Sequence, residues 1–185
     1  MRKLEIGPGR ERLPGFETLN IAPGPNTDHV GDARHLPFAD GTFAEVYSSH
    51  CIEHLEWFDV EPAIQEWARV LRPGGLLEVH TVDAVPLLEA MLQWEMWGEC
   101  QRPAGTWKQE LHRGDPFLSA QARLLNYRKA GPHGDAWLHR AILTPRYLRQ
   151  CFERAGLVQV REAGEPRGDK KHRAVNMGLI GYRPC

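Results

Sequence analysis

Two strings in this chain of 185 residues combine residue types and spacings that could do chemistry. The first, Leu4-Glu5-Ile6-Gly7-Pro8-Gly9, runs an apolar segment into a Gly-x-Gly turn. Glycine lets the backbone pass close to a ligand there, because a Cβ at Gly7 or Gly9 would intrude on it. A second apolar run, Phe16 to Ile21, carries the polar Asn20 near its end, where it would face a ribose. The turn lacks the third glycine of the dinucleotide fingerprint and any Gly-Lys-Ser/Thr, so it suits a cofactor without a pyrophosphate. The second string, His50-Cys51-Ile52-Glu53-His54, has the H-x-x-E-H form. Two histidines at i, i+4 on a helix can chelate zinc, with the glutamate as base.

Elements must hold these groups in place, and the first half of the chain alternates strand and helix signals. His29 to Asp32 and Phe43 to Ser49 read as the third and fourth strands, and Leu76 to Val82 as the fifth. Asp59 to Leu71 reads as a helix, with Ala63, Ile64, Trp67, Val70 and Leu71 on one face and Arg72-Pro73-Gly74-Gly75 as its stop. Strands separated by helical periods imply parallel βαβ units. The six residues Arg10 to Gly15 are too few for a crossover helix, so the first crossover is expected to be an abbreviated loop. Val85 to Trp97 and Pro116 to Lys129 read as helices, the former with Leu88, Met91, Leu92 and Glu95 on a mixed face. Thr144 caps a further helix that begins at Pro145 and stops at Gly156. Leu157 to Glu162 and Ala174 to Tyr182 read as a hairpin closing one edge of the sheet. The expected fold is α/β: a Rossmann-like, doubly wound, mostly parallel sheet with a C-terminal antiparallel hairpin. It forms one domain over residues 1–185, with a helical and loop insertion at about 84–143 as a substrate lid.

Composition narrows the function classes. Lys and Arg number 23 against 24 Asp and Glu, so no global field favours nucleic acid or an anionic membrane. No apolar run approaches the ~20 residues of a membrane span. The chain enters its first strand without a signal peptide, and Cys51, Cys100, Cys151 and Cys185 form no CxxC pair. A cytoplasmic location with reduced thiols is the expectation.

In order, LEIGPG, LNI, GDARHLPFADGTFAEVYSSHCIEHL and EWARVLRPGGLLEV resemble the class I S-adenosylmethionine-dependent methyltransferases, and within them a short bacterial branch with an abbreviated first crossover. The resemblance implies S-adenosylmethionine as cofactor and a small-molecule or glycan- or lipid-linked acceptor. It implies that Glu5 helps hold the cofactor's ammonium and that Gly7 to Gly9 pass beneath its methionine and ribose portions. Asn20, followed by Ile21, sits where the family usually has Asp or Glu on the ribose hydroxyls; an amide there forgoes the charge-assisted bond. Asp32 would meet the adenine amino group, with Ala33 and Arg34 lining the ring. Ser48, Ser49 and His50 would lie near the sulfonium and the acceptor.

Other readings stay open. His50 is the candidate general base by position, with His112, His133 and His139 as runners-up. A non-catalytic binding or partner protein of the same fold would also tolerate Asn20 and lack an obvious base. A zinc peptidase built on His50, Glu53 and His54 is more remote, since the string follows a strand in a βαβ array and no third ligand is evident downstream. Trp94, Trp97, Trp107 and Trp137 are packing residues or an aromatic platform for the acceptor. Arg167 to Arg173 is a solvated charge run or a recognition loop for an acidic substrate.

Overall fold

The glycine turn lies at the centre of the sheet, where the direction of strand addition reverses. A computed structural model describes residues 1–100, 115–125, 138–168 and 175–185. Among these, the strands are β1 (Lys3–Ile6), β2 (Glu17–Asn20), β3 (His29–Val30), β4 (Phe43–Ser49), β5 (Leu71–Val82), β6 (Val158–Glu162) and β7 (Asn176–Tyr182). The helices are α1 (Val60–Arg69), α2 (Val85–Trp97), α3 (Pro116–Leu125) and α4 (Pro145–Arg154). The strand order is β3-β2-β1-β4-β5-β7-β6. The first five strands run parallel, and β7 enters antiparallel between β5 and β6. The abbreviated first crossover is real: β1 pairs in parallel with β2, Leu4 opposite Glu17.

Handedness decides what covers each face. A right-handed crossover lies on one face when it moves one way along the sheet and on the other face when it moves back. The β4-to-β5 crossover carries α1, and α4 packs beside it. Val60, Ile64, Trp67, Leu148 and Phe152, all fully buried, meet Leu4, Ile6, Leu77 and Leu179 of the strands in one apolar core. Helices on the opposite face would come from the β1-to-β2 and β2-to-β3 crossovers, and residues 7–16 and 21–28 contain none.

That opposite face is polar. Strand alternation and register place Glu5 beside Thr18 and Tyr47, Tyr47 beside Glu78, and Ser49 beside His80, all of them buried. Residues 10–16 and 163–168 close over them. Leu13, Phe16 and Tyr47 form a small apolar cluster there. The Arg167 guanidinium binds Glu45 at 2.6 Å and also Glu78. His80 Nε2 donates to Glu78 at 2.7 Å, and Lys3 pairs with Glu45 at 2.7 Å. Only a glycine fits opposite that imidazole: a Cβ at Gly178 would collide with His80 Nδ1.

Several boundaries differ from the sequence reading, each for a physical reason. β5 begins at Leu71 rather than Leu76: Leu71 pairs with Phe43, residues 72–75 bulge out, and Gly75 O accepts from Arg183 N at 2.9 Å. The α2 face also differs. Leu87 is buried and packs with Ala120 and Leu124 of α3, Met91 packs partly buried against them, and Ala90 is buried too, whereas Leu88 and Leu92 are exposed. Thr144 caps α4 as expected, its Oγ1 accepting from Tyr147 N at 3.3 Å. Trp107, Trp137, His112, His133, residues 126–129 of the expected third helix and residues 169–173 of the charge run lie outside the described residues.

Candidate functional site

The carboxyl ends of β1 to β4 form a rim at the switch point, where open α/β sheets bind their ligands. Gly7 and Gly9 both adopt left-handed backbone, with φ of 70° and 69°. Gly7 N donates to Leu19 O at 2.9 Å, and a Cβ at Gly7 would lie 2.8 Å from Cys51 Cβ and Sγ. The turn is thus wedged between β2 and the residue after His50. Glu5, buried, accepts from Leu13 N at 2.7 Å and so closes the abbreviated loop from below. Asn20 Oδ1 accepts from Ile21 N at 2.9 Å, while the Ile21 side chain is 63% exposed on the rim. Asp32 is held by the Arg34 guanidinium through bonds of 2.7 to 3.0 Å, and Arg34 reaches on to Asp59 at 2.8 Å. The Arg34 hydrogen bond is the main reason the Asp32 pKa falls below its ordinary value. Ala33 O accepts from Trp67 Nε1 at 2.7 Å, tying this segment to the core. Ser48 and Ser49 are wholly buried, and Ser48 Oγ donates to Ile6 O at 3.2 Å. Glu5 and Ser48 support the rim from beneath, while Gly7, Gly9, Ile21 and Arg34 lie at or near its surface.

His50 stands at the end of β4 with φ of 52°, a conformation that a side-chain-bearing residue adopts at a cost of order 1–3 kcal/mol. Both ring nitrogens face oxygens, Nδ1 to Glu53 Oε1 at 2.9 Å and Nε2 to Asn176 Oδ1 at 2.9 Å. Burial would raise the Glu53 pKa, but the His50 bond and the potential of His50, His54 and His139 outweigh it and hold the carboxyl at about 2. Glu53 Oε2 has no hydrogen-bond partner among the described residues. The Glu53 carbonyl accepts from Arg140 N and Ala141 N, which brings residues 140–141 against this turn. His54 is the last residue of a three-residue 3₁₀ turn, Ile52–His54, that His50 precedes, so the two histidines do not share an α-helix; His54 Nδ1 donates to Leu138 O at 3.2 Å. Among the described residues, no three His, Cys, Asp or Glu side chains are grouped to hold a metal.

At the carboxyl end of β5, a cavity of about 560 Å³ is lined by Asp83, Glu162, Glu165, Asn176 and Gly178, among others. Burial is the main cause of a raised Asp83 pKa. Asn176 belongs to both places, since it lines the cavity and holds the His50 ring.

Residues 17–79 match the family model described as a methyltransferase domain. Over that stretch the chain is similar to methyltransferase domains. Over 90 residues it is 41% identical to a demethylmenaquinone methyltransferase of Thermobifida fusca, covering 48% of this chain and 35% of that protein. Over 85 residues it is 40% identical to a malonyl-[acyl-carrier protein] O-methyltransferase of Methylococcus capsulatus, covering 46% and 28%. The chain spans about a third of the length of these curated relatives. Among solved structures, the chain is similar in fold to a S-adenosylmethionine-dependent methyltransferase of Thermotoga maritima, described as a possible histamine N-methyltransferase. The TM-score there is 0.54 at 16% identity, covering 98% and 82% of the two chains. The Haemonchus contortus phosphoethanolamine N-methyltransferase 2, in complex with S-adenosylmethionine, gives 0.55 at 11% identity, covering 100% and 49%. At such identities the likeness is one of fold.

Sequence reasoning missed Asn176 as a partner of His50 and Arg167 as a partner of Glu45 and Glu78. Asn176 lies 126 positions from His50, and no local pattern announces such a pair. Arg167 had a signal elsewhere: Glu45 and Glu78 each put a carboxylate inside a strand string, FAEVYSS and LLEVHTV, and a carboxylate buried there implies a cation. No helix among the described residues is long and apolar enough to cross a membrane.

Proposed function

We propose that this chain transfers a methyl group from S-adenosylmethionine to a small-molecule acceptor. The observation that carries the reading is the left-handed Gly7 at the switch point of the sheet, closed behind by Cys51 and next to the matched methyltransferase segment. The rim fits the cofactor: Gly7 and Gly9 present backbone without side chains, and exposed Ile21 offers apolar surface to a purine. Asn20 and the Asp32–Arg34 pair supply polar groups to the ribose and the adenine edge. When bound, the cofactor supplies an electrophilic methyl group on a sulfonium. The protein's part is then mostly alignment of the acceptor with that methyl.

The acceptor enters the cavity at the carboxyl end of β5. It meets Asn176 there, and for His50 to take its proton Nε2 must first release to solvent the proton it offers Asn176 Oδ1, and the amide must be displaced. Glu53 keeps Nδ1 engaged throughout and fixes the ring. Residues 84–143 act as the lid, since α2 follows Asp83 directly and Arg140 and Ala141 return to Glu53. The names of the relatives favour small acceptors: a quinone, an acyl thioester and, for norajmaline N-methyltransferase of Rauvolfia serpentina, an alkaloid amine. A glycan-linked acceptor rests on the sequence resemblance alone.

The engagement of both His50 nitrogens favours a second reading, a non-catalytic member of the fold. Incubation with methyl-labelled S-adenosylmethionine and a demethylated quinone, a malonyl thioester and a secondary amine separates the two. Label in any of the three establishes transfer and its class. Binding of S-adenosylhomocysteine with no label in any acceptor favours the non-catalytic reading.

A further inference from the structure

Residues 163–168 join the acceptor side of the molecule to the cofactor side across the polar sheet face. At one end, Ala163, Gly164 and Glu165 line the cavity. At the other, a Cβ placed at Gly168 would lie 3.6 Å from Leu13 Cδ2, so this end rests on the abbreviated glycine loop. Between them Arg167 is fixed by five contacts. Its backbone N donates to Tyr47 Oη at 3.0 Å, and its guanidinium pairs with Glu45 and Glu78. Its Cζ lies 5.0 Å from the Tyr47 ring centroid and 5.7 Å from that of Phe16. Phe16 and Leu13 belong to the loop that begins at Gly7, and Leu13 N is the group bound by Glu5.

We propose that Arg167 is a positioning residue for the cofactor site: it clamps residues 163–168 behind the glycine loop, in the place of the helix that the first crossover lacks. This rests on the cofactor reading above. A loop of that length has no helix to brace it from the polar face. A guanidinium suits the task because its planar fork spans two carboxylates and stacks on aromatic faces, which an ammonium does not do. The clamp also couples the two sites, since one end of the segment, Ala163 to Glu165, walls the cavity and the other, Gly168, rests on Leu13.

The test is calorimetric titration with S-adenosylhomocysteine, with hydrogen exchange of residues 10–16 and 163–168 followed in the same samples. Arg167→Met is expected to weaken binding about tenfold and to abolish the protection that the nucleoside confers on residues 163–168. Arg167→Lys, which keeps charge but not the fork, is expected to restore only part of the affinity. Arg69→Met is the structural control, because Arg69 ties Glu66 and Asp40 together on the apolar side. It is expected to lower thermal stability and leave affinity within about twofold. If Arg167→Met does not fold, Glu45→Gln loosens one anchor and is expected to weaken binding by about threefold. Arg167→Met (or Glu45→Gln in its place) that binds as wild type does, with unchanged protection, overturns the proposal and leaves the cofactor reading standing. Folded wild-type protein that gives no binding overturns the cofactor reading itself, and the clamp with it.

Discussion

The two faces of the sheet solve the same problem with different chemistry. The face under α1 and α4 is sealed by Trp67, Phe152, Leu148 and their neighbours, and its stabilisation follows from apolar area removed from water. On the other face the first two crossovers, residues 7–16 and 21–28, contain no helix. That face is sealed by short loops over a chain of charges, from Lys3 through Glu45, Arg167 and Glu78 to His80. Loops too short to bring an apolar helix can still bring one arginine. The difference teaches that losing a crossover helix converts a packing interface into an ion-pair interface, with polar groups that must all find partners.

The largest effect should come from the apolar face. Trp67→Ala removes a fully buried indole and its bond to Ala33, and should cost about 3–5 kcal/mol in denaturant unfolding. A loss below about 1 kcal/mol would mean that the core under α1 is not packed as described. On the polar face, Glu78→Gln removes the charge between His80 and Arg167 and should cost about 1.5–3 kcal/mol.

Acid separates the faces further. Burial alone would raise the Glu78 pKa, but the His80 hydrogen bond and the Arg167 charge outweigh it and hold it below the ordinary 4.5. A carboxyl lowered on folding contributes stability that is fully present above its unfolded pKa and is lost as pH falls through the folded one. Stability measured from pH 6 downward should therefore fall below about pH 4.5. Glu78→Gln should flatten that limb, whereas Trp67→Ala should shift the whole curve down without changing its slope. Equal slopes in both variants would break the distinction between the faces. The smallest effect belongs to exposed charge: Glu56→Gln removes a half-exposed pair with Arg140 and should change stability by no more than about 1 kcal/mol.

The parallel sheet, the glycine turn, the abbreviated first crossover and the capped α4 were legible because each is written in residues close together in the chain. The start of β5 was not. Arg72 to Gly75 carry turn residues, yet Leu71 is drawn into the sheet by Phe43, and the bulge is held from Arg183 over a hundred residues away. The α2 face was misread because its exposed positions are nearly as apolar as its buried ones, so only the partner helix α3 decides which side turns inward. In the site, the rim residues followed from strand ends. The engagement of His50 by Glu53 is local and sits in the H-x-x-E-H string itself, whereas its engagement by Asn176 depends on how β7 enters the sheet. The charge run from Arg167 read as solvated or as a loop recognising an acidic substrate, because its anchors, Glu45 and Glu78, lie far earlier in the sequence.

The central claim, that the rim at Gly7 holds a S-adenosyl cofactor, is tested most directly by titrating the full chain with S-adenosylhomocysteine, with Gly7→Ala alongside. The account predicts micromolar binding, about −8 kcal/mol. It predicts at least a tenfold loss in Gly7→Ala, where a Cβ in left-handed backbone meets Cys51. Folded wild-type protein that gives no heat at several temperatures, or a Gly7→Ala variant that binds equally well, would contradict it.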